Sequence, residues 1–566
     1  MKKRISKKAN LFYSKNESWW LIGFSILLAS GIMIEPQLIC SSLLKGQLSD
    51  MWLYWCVGVG SAFSVSFFAH LWRKVPVKTE NEFLFFRYSG IGARILHNFR
   101  SLYLGLLVVP FLISFSLLAF SKIFCFIVGI EINLGITIVT FLIIILTFFN
   151  SLRQRLKFDF FLFIVFIVLF LIIMISLLLS TGGLSHLAFT VQSSKINFDI
   201  IPSIGSKTFN AFIVFVLVQW WSASLLDYPD MNGQKLMATN TSKELLKSVF
   251  IPSLSIVLFR VLLFTLPFMA VCYGYANGSA DSELAFTSLF VKVLPSWMLI
   301  LVVIVFMIPF LSFVQNTQNW GGSLLIENFY KHTINPNLSD AKAKKFGIIV
   351  MIYIIIVSGG IAIYADSLVG ITKYLFAITA GVGPVFMLRW YWWRINAWSQ
   401  LSAMLAALIY PPVLDWLTEN NISVHQFITQ VEYNYNIDYY PIEIIILTIA
   451  VCVTWLVVTF CTPPTETKVL QTFASTIKPG GFWKPFENCG KTFSKLRLLA
   501  WLLKTGNGFL LYFIFWNFLI GDYLLFIGLL VLFVLVFFAS YKLIQKANAN
   551  YDFELEEINP ASLLPK

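Results

Sequence analysis

A chain of 566 residues that is 58% hydrophobic and only 12% charged cannot solvate itself as a soluble globule. Apolar runs of roughly 18–29 residues recur from Trp19 to Leu543, each long enough to cross a hydrocarbon core about 30 Å thick. The polar stretches between them leave no room for a nucleotide-hydrolysing domain, and the net charge of +13 is explained by where the charges fall rather than by a nucleic-acid partner.

The basic segment 1–17 leads into an apolar run at 18–40 that is too long for a signal peptide and closes on no small-residue cleavage site. Further helices are predicted at 51–72, 101–129, 132–149, 158–180, 208–226, 248–276, 295–325, 346–364, 368–390, 397–414, 442–461, 507–520 and 523–543. The chain therefore reads as an all-α polytopic membrane protein of about fourteen transmembrane helices. A basic loop at 462–506 and a tail at 544–566 complete it.

With the N-terminus on the cytoplasmic side, 34 of the 41 Lys and Arg residues fall on that side. The opposite loops carry acids such as Asp281, Glu283, Asp415, Glu419, Glu432 and Asp438. This is the positive-inside pattern, and it predicts an inner (plasma) membrane protein with both termini cytoplasmic. The basic balance thus reports topology and contact with anionic lipid. The seven cysteines are scattered without a CxxC pair and read as packing residues, not as a metal or disulfide framework.

Polar residues inside apolar runs are costly and point to function. In 18–40 the stretch Ser30–Gln37 includes Gly31, Glu35 and Pro36, which reads either as a broken helix beside an ion or solute, or as a proline kink with Glu35 reaching water. In 295–325, Pro309 and Ser312 precede five consecutive polar residues, Gln315 to Asn319. They fit a transport path or interhelical glue. Gln219 and Trp220 end the 208–226 helix, where stacking on a solute and interfacial anchoring both explain a Trp pair. Asp159 opens 158–180 as a cation relay or as a first-turn acid favoured by the helix dipole. Arg260 in 248–276 has no evident partner. No HExxH, Walker loop or GxSxG occurs, and the expectation is that the chain is not an enzyme.

Several motifs carry a resemblance. They include Ser18-Trp19-Trp20, Thr79-Glu80-Asn81-Glu82, Arg87-Tyr88-Ser89-Gly90, Asn319-Trp320-Gly321 with Phe329-Tyr330-Lys331, and Leu388 through Trp398. Over roughly residues 10–460 the chain resembles the sodium/solute symporter family, specifically a bacterial subgroup. The resemblance implies a five-plus-five inverted repeat, 18–180 mirrored by 208–390, followed by two accessory helices within 397–461 and two C-terminal helices within 507–543. It implies a sodium site at the carbonyls of Leu28 and Gly31, with Pro309 facing them, Ser312 as the first hydroxyl and Asp159 near the sodium path. Possible solute-binding residues are Glu35, Gln219, Trp220, Gln315 and Asn319.

Three departures stand out. Phe313 occupies the second hydroxyl position, Ile34 stands where subgroup members often carry an acid, and the chain starts at the linker that in members follows an additional helix. The expected function is secondary transport of a small organic solute by alternating access, with sodium as the coupling ion and no other cofactor. The alternatives are a sodium-independent uniporter or exchanger with a degenerate cation site, and a non-transporting solute sensor.

Overall fold

The structure is a computed structural model that describes residues 17–30, 34–77, 79–147, 152–194, 199–223, 235, 242–275, 281–486 and 495–549. Among them the architecture is helical, with no β-strand and one bridge between Trp392 and Phe482. That follows from the composition, because a backbone in hydrocarbon must satisfy its own hydrogen bonds.

The elements that matter here are α1 (Trp19–Leu28), α2 (Glu35–Leu44), α3 (Trp52–Phe67), α4 (Gly90–Val128), α5 (Ile132–Thr147), α6 (Leu152–Ser180), α7 (Ser242–Cys272) and α8 (Ser296–Ile334). They continue with α9 (Asp340–Tyr364), α10 (Leu368–Ala377), α11 (Gly383–Tyr391), α12 (Ala397–Asn420), α13 (Tyr439–Cys461), α14 (Lys495–Ile520) and α15 (Tyr523–Ala549). Among the described residues 8 helices are long and apolar enough to cross a membrane, so the chain is a multi-pass membrane protein.

The broken-helix reading of 18–40 describes that run, and several other boundaries depart from the sequence reading. The 18–40 run is two helices, α1 and α2, interrupted beyond Ala29. The 368–390 run is likewise two, α10 and α11, parted by a turn through Gly381 at φ +77°. A side chain on Gly381 would meet Val451 Cβ at 2.6 Å, so the turn needs glycine twice over. Helix α4 begins at Gly90, not 101, and α8 continues past 325 as π-helical turns to Ile334.

Helix α14 begins at Lys495, not 507. Its first turns carry polar groups that find partners. Arg497 donates to the carbonyl of Ser66 at 3.0 Å and to Asn548 Oδ1 at 2.9 Å, and Trp501 Nε1 donates to the Val59 carbonyl at 3.3 Å. A hydropathy window does not see such bonds. The α14–α15 hairpin is thereby fastened to α3.

Helices α4 and α8 approach closely through small residues. A methyl on Gly105 would stand 2.7 Å from Leu325 Cγ, and one on Gly321 would stand 2.8 Å from Val109 Cγ1. On the face that carries the basic loops, the buried Arg87 donates to the carbonyls of Arg389 (2.7 Å) and Trp392 (3.0 Å). Its guanidinium lies over the rings of Phe473 and Trp483. Trp483 in turn donates to the Trp390 carbonyl at 2.9 Å. Nearby, Thr79 bonds Asn328 at 2.8 Å, Trp320 bonds Glu80, and Arg100 bonds Asn81 at 2.8 Å. On the opposite face Lys122 bridges Asp281 and Glu283, each at 2.6 Å. The Glu283 carboxylate also accepts the Leu368 N–H at 3.0 Å, closing the start of α10.

Two consequences are measurable by unfolding in detergent. Trp483 is fully buried against the Arg87 cluster, so Trp483→Ala should destabilise by about 3–5 kcal/mol; a loss below about 1 kcal/mol contradicts the packing described. Lys122→Met strands Glu283 and should cost about 3–5 kcal/mol. Adding Glu283→Gln to that variant should restore part of it.

Candidate functional site

Asp159 lies two turns inside α6 with 2% of its surface exposed. A carboxylate so placed must collect donors, and it does so from two other helices. Ser25 Oγ on α1 donates to Oδ2, Ser312 Oγ on α8 donates to Oδ1 at 3.0 Å, and Asn316 Nδ2 approaches Oδ2 at 3.4 Å. Lys235 Nζ donates to Ser25 Oγ at 3.0 Å, and its charge acts on Asp159. The cluster therefore presents a carboxylate and two hydroxyls beside an ammonium, a set of hard oxygen donors suited to a small cation.

The other residues expected at the cation site are distributed around this centre. Leu28 is buried at the last position of α1, where carbonyls lose their intrahelical partners. Pro309 is buried within α8, one turn before Ser312. Gly31 lies outside the described residues. Phe313 sits beside the cluster, and its ring borders two spaces of very different size.

The smaller space lies between α4 and α8, with Ile34 at its edge, and holds only about 20 Å³. Aromatic rings fill the region. Phe120 and Phe310 stack there with centroids 4.6 Å apart and planes at 11°. The larger is a cavity of about 530 Å³ bounded by α2, α3, α7, α14 and Phe313, within the range of small-molecule sites.

Of the five expected solute residues, only Glu35 lines this cavity. It pairs with Arg260 at 3.0 Å, which gives that arginine the partner the sequence did not reveal. Gln219 is buried and donates to the Leu53 carbonyl at 2.9 Å, tying the 207–222 segment to α3. The Trp220 ring packs on Phe63 and Trp501. The Gln315 carbonyl and Asn319 Oδ1 both accept from Arg155, at 2.6 and 3.0 Å. Gln318 in the same run bonds Thr147 at 3.0 Å and the Met351 carbonyl at 3.1 Å. Much of the polar run therefore fastens α8 to its neighbours.

The candidate site residues read from the sequence do not include Ser25, Arg155, Lys235, Asn316 or Lys504. Arg155 had a signal, since it stands one helical turn before Asp159. Asn316 stands in the polar run, one turn after Ser312. Lys504 was counted among loop charges because the start of α14 was set too late.

Comparison with known proteins follows from this geometry. The signature of the Sodium:solute symporter family matches residues 39–407. No curated protein matches the chain. Among solved structures, a Na+-coupled sialic acid symporter in a substrate-bound outward-open state superposes with a TM-score of 0.58 at 15% identity, covering 81% of this chain and 94% of that one. A nucleobase-cation-symport-1 family transporter in a closed conformation with bromovinylhydantoin bound gives 0.45 at 12% identity, covering 83% and 98%. At such identities the first likeness is one of fold. With the family signature spanning well over half of its length, the chain belongs to the sodium:solute symporter family.

Proposed function

We propose that this chain is a sodium-coupled symporter that moves a small organic solute across the inner membrane by alternating access. In this reading both termini are cytoplasmic, and a five-plus-five inverted repeat forms the core, with 18–180 mirrored by 208–390. The observation that carries it is the Asp159 cluster, in which oxygen donors from α1, α6 and α8 meet at one point. The Na+-coupled structural neighbour supports the same coupling ion.

Sodium bound between the Asp159 carboxylate and the Ser25 and Ser312 hydroxyls links helices from the two halves of the repeat. It stabilises the arrangement in which they are close over any arrangement in which they are apart. That differential affinity is what lets an ion gradient drive a conformational cycle. The resemblance adds the Leu28 carbonyl and Pro309 to the same site, together with Gly31, which lies outside the described residues. Phe313 supplies bulk in place of a second hydroxyl. Glu35 is the expected solute contact that lines the large cavity, and the other expected contacts, Gln219, Trp220, Gln315 and Asn319, also engage protein partners.

Lys235 favours a second reading. Its ammonium already holds Ser25 beside Asp159, so a tethered cation takes the place of sodium and the protein works as a sodium-independent exchanger or uniporter.

Thermal unfolding in sodium against choline at equal ionic strength separates the two. A ligand at 100 times its dissociation constant stabilises by about 2.7 kcal/mol. The symporter reading expects sodium to raise the midpoint and Ser312→Ala to remove most of the rise. If sodium leaves the native protein unmoved but raises the midpoint of Lys235→Met, the tethered-cation reading replaces it.

A further inference from the structure

The 530 Å³ cavity bounded by α2, α3, α7 and α14 gathers polar groups that the protein itself leaves without partners. Glu35 Oε2, Arg260 Nε and Thr505 Oγ1 are all buried, and none has a hydrogen-bond partner. Each of their residues lines this cavity, together with Lys504. The Lys504 ammonium lies 4.5 Å from the centre of the Phe250 ring. Among the described residues no carboxylate pairs with it. A cation on a membrane helix with an aromatic face beside it and no paired carboxylate among the described residues is held at a cost, and such a residue points to a ligand site.

Charge and shape indicate the ligand. The cavity carries two cations, Arg260 and Lys504, against one acid, Glu35, which is already engaged with Arg260 at 3.0 Å. One positive charge is left over, at the Lys504 end, where the next residue offers the unpartnered Thr505 hydroxyl. Phe250 and Arg260 are ten residues apart on α7, so the two polar ends are separated by about 15 Å along the helix. Much of the remaining wall is aromatic, with Trp55, Phe264, Phe509, Tyr512 and Phe515 among its members.

We infer that this cavity is a binding site for an amphipathic organic anion, its carboxylate or equivalent head at Lys504 and Thr505 and its apolar body along the aromatic wall. The inference rests on the solute-transporter reading for its role but not for its chemistry. It also assigns a ligand contact to the C-terminal helix α14, beyond residues 39–407 that match the family. The anion arrives either from water, as a soluble monocarboxylate, or from the bilayer, as an anionic lipid. Val57 and Ser61 on the cavity wall are exposed, so the cavity is not sealed.

The test is equilibrium binding of radiolabelled 4-phenylbutyrate to the detergent-purified full chain, run in sodium and in choline so that the outcome does not depend on cation coupling. The native protein is expected to bind the carboxylate saturably and the uncharged 4-phenylbutyramide at least about tenfold more weakly, as the loss of a charge-assisted bond implies. Lys504→Met should weaken carboxylate binding by a similar factor, and Lys504→Arg should retain it. The unliganded Lys504→Met protein should unfold at the native midpoint or above, because a half-buried cation without a paired carboxylate has been removed; that separates lost binding from lost folding. Phosphatidylglycerol that competes only when Lys504 is present identifies the bilayer as the source, whereas failure to compete identifies the soluble acid. Equal binding of acid and amide, binding indifferent to Lys504→Met, or no saturable Lys504-dependent binding of either the acid or phosphatidylglycerol overturns the inference.

Discussion

A carboxylate inside a membrane bundle has to find its donors there, and the arrangement of this protein's core turns on how Asp159 finds them. Its partners come from α1 through Ser25 and from α8 through Ser312 and Asn316. One turn away, Arg155 spans the Gln315 carbonyl and Asn319. Residues four apart on α6 therefore grip residues four apart on α8, an ion-bearing ladder between two helices. Any movement of α1 or α8 relative to α6 must break bonds to a buried charge or replace them with an ion. That constraint favours a small number of discrete arrangements, which is the property alternating access requires.

The motifs that make the family recognisable have a different task. Thr79, Glu80 and Asn81 hold Asn328, Trp320 and Arg100. Arg87 holds the carbonyls of the Arg389–Trp392 stretch, under the rings of Phe473 and Trp483. These residues fasten loops to helix ends on one face of the molecule and leave the cavity walls to other residues. Family membership is therefore legible from them, while the solute is not, since function resides in the site and not in the frame.

Apolar runs and their interruptions were legible because both are local. The break after Ala29, the acid at 159 and the polar run from Gln315 each show as a departure from hydrophobic monotony. What a polar residue touches is not local. Glu35 and Arg260 lie 225 positions apart, yet each is the other's counterion. The 315–319 run fits a path or interhelical glue, and only the structure shows that Gln318 and Asn319 bond Thr147, Met351 and Arg155. Helix starts were misread where early turns carry charge. Gly90 opens α4 and Lys495 opens α14 well before the apolar stretch begins. The second error hid Lys504, which belongs to a cavity wall. Nor could the sequence tell that Phe313, Phe120 and Phe310 crowd the space between α4 and α8 while the large cavity lies against α2, α3, α7 and α14.

The most direct test of the account is radioactive sodium binding to the purified protein and to Asp159→Asn, measured at equilibrium without any solute. The cluster predicts saturable binding by the native protein and its loss in Asp159→Asn, with the variant still folded and its family fold intact by circular dichroism. Saturable binding that survives Asp159→Asn would place the coupling ion elsewhere and contradict the central role given to this carboxylate.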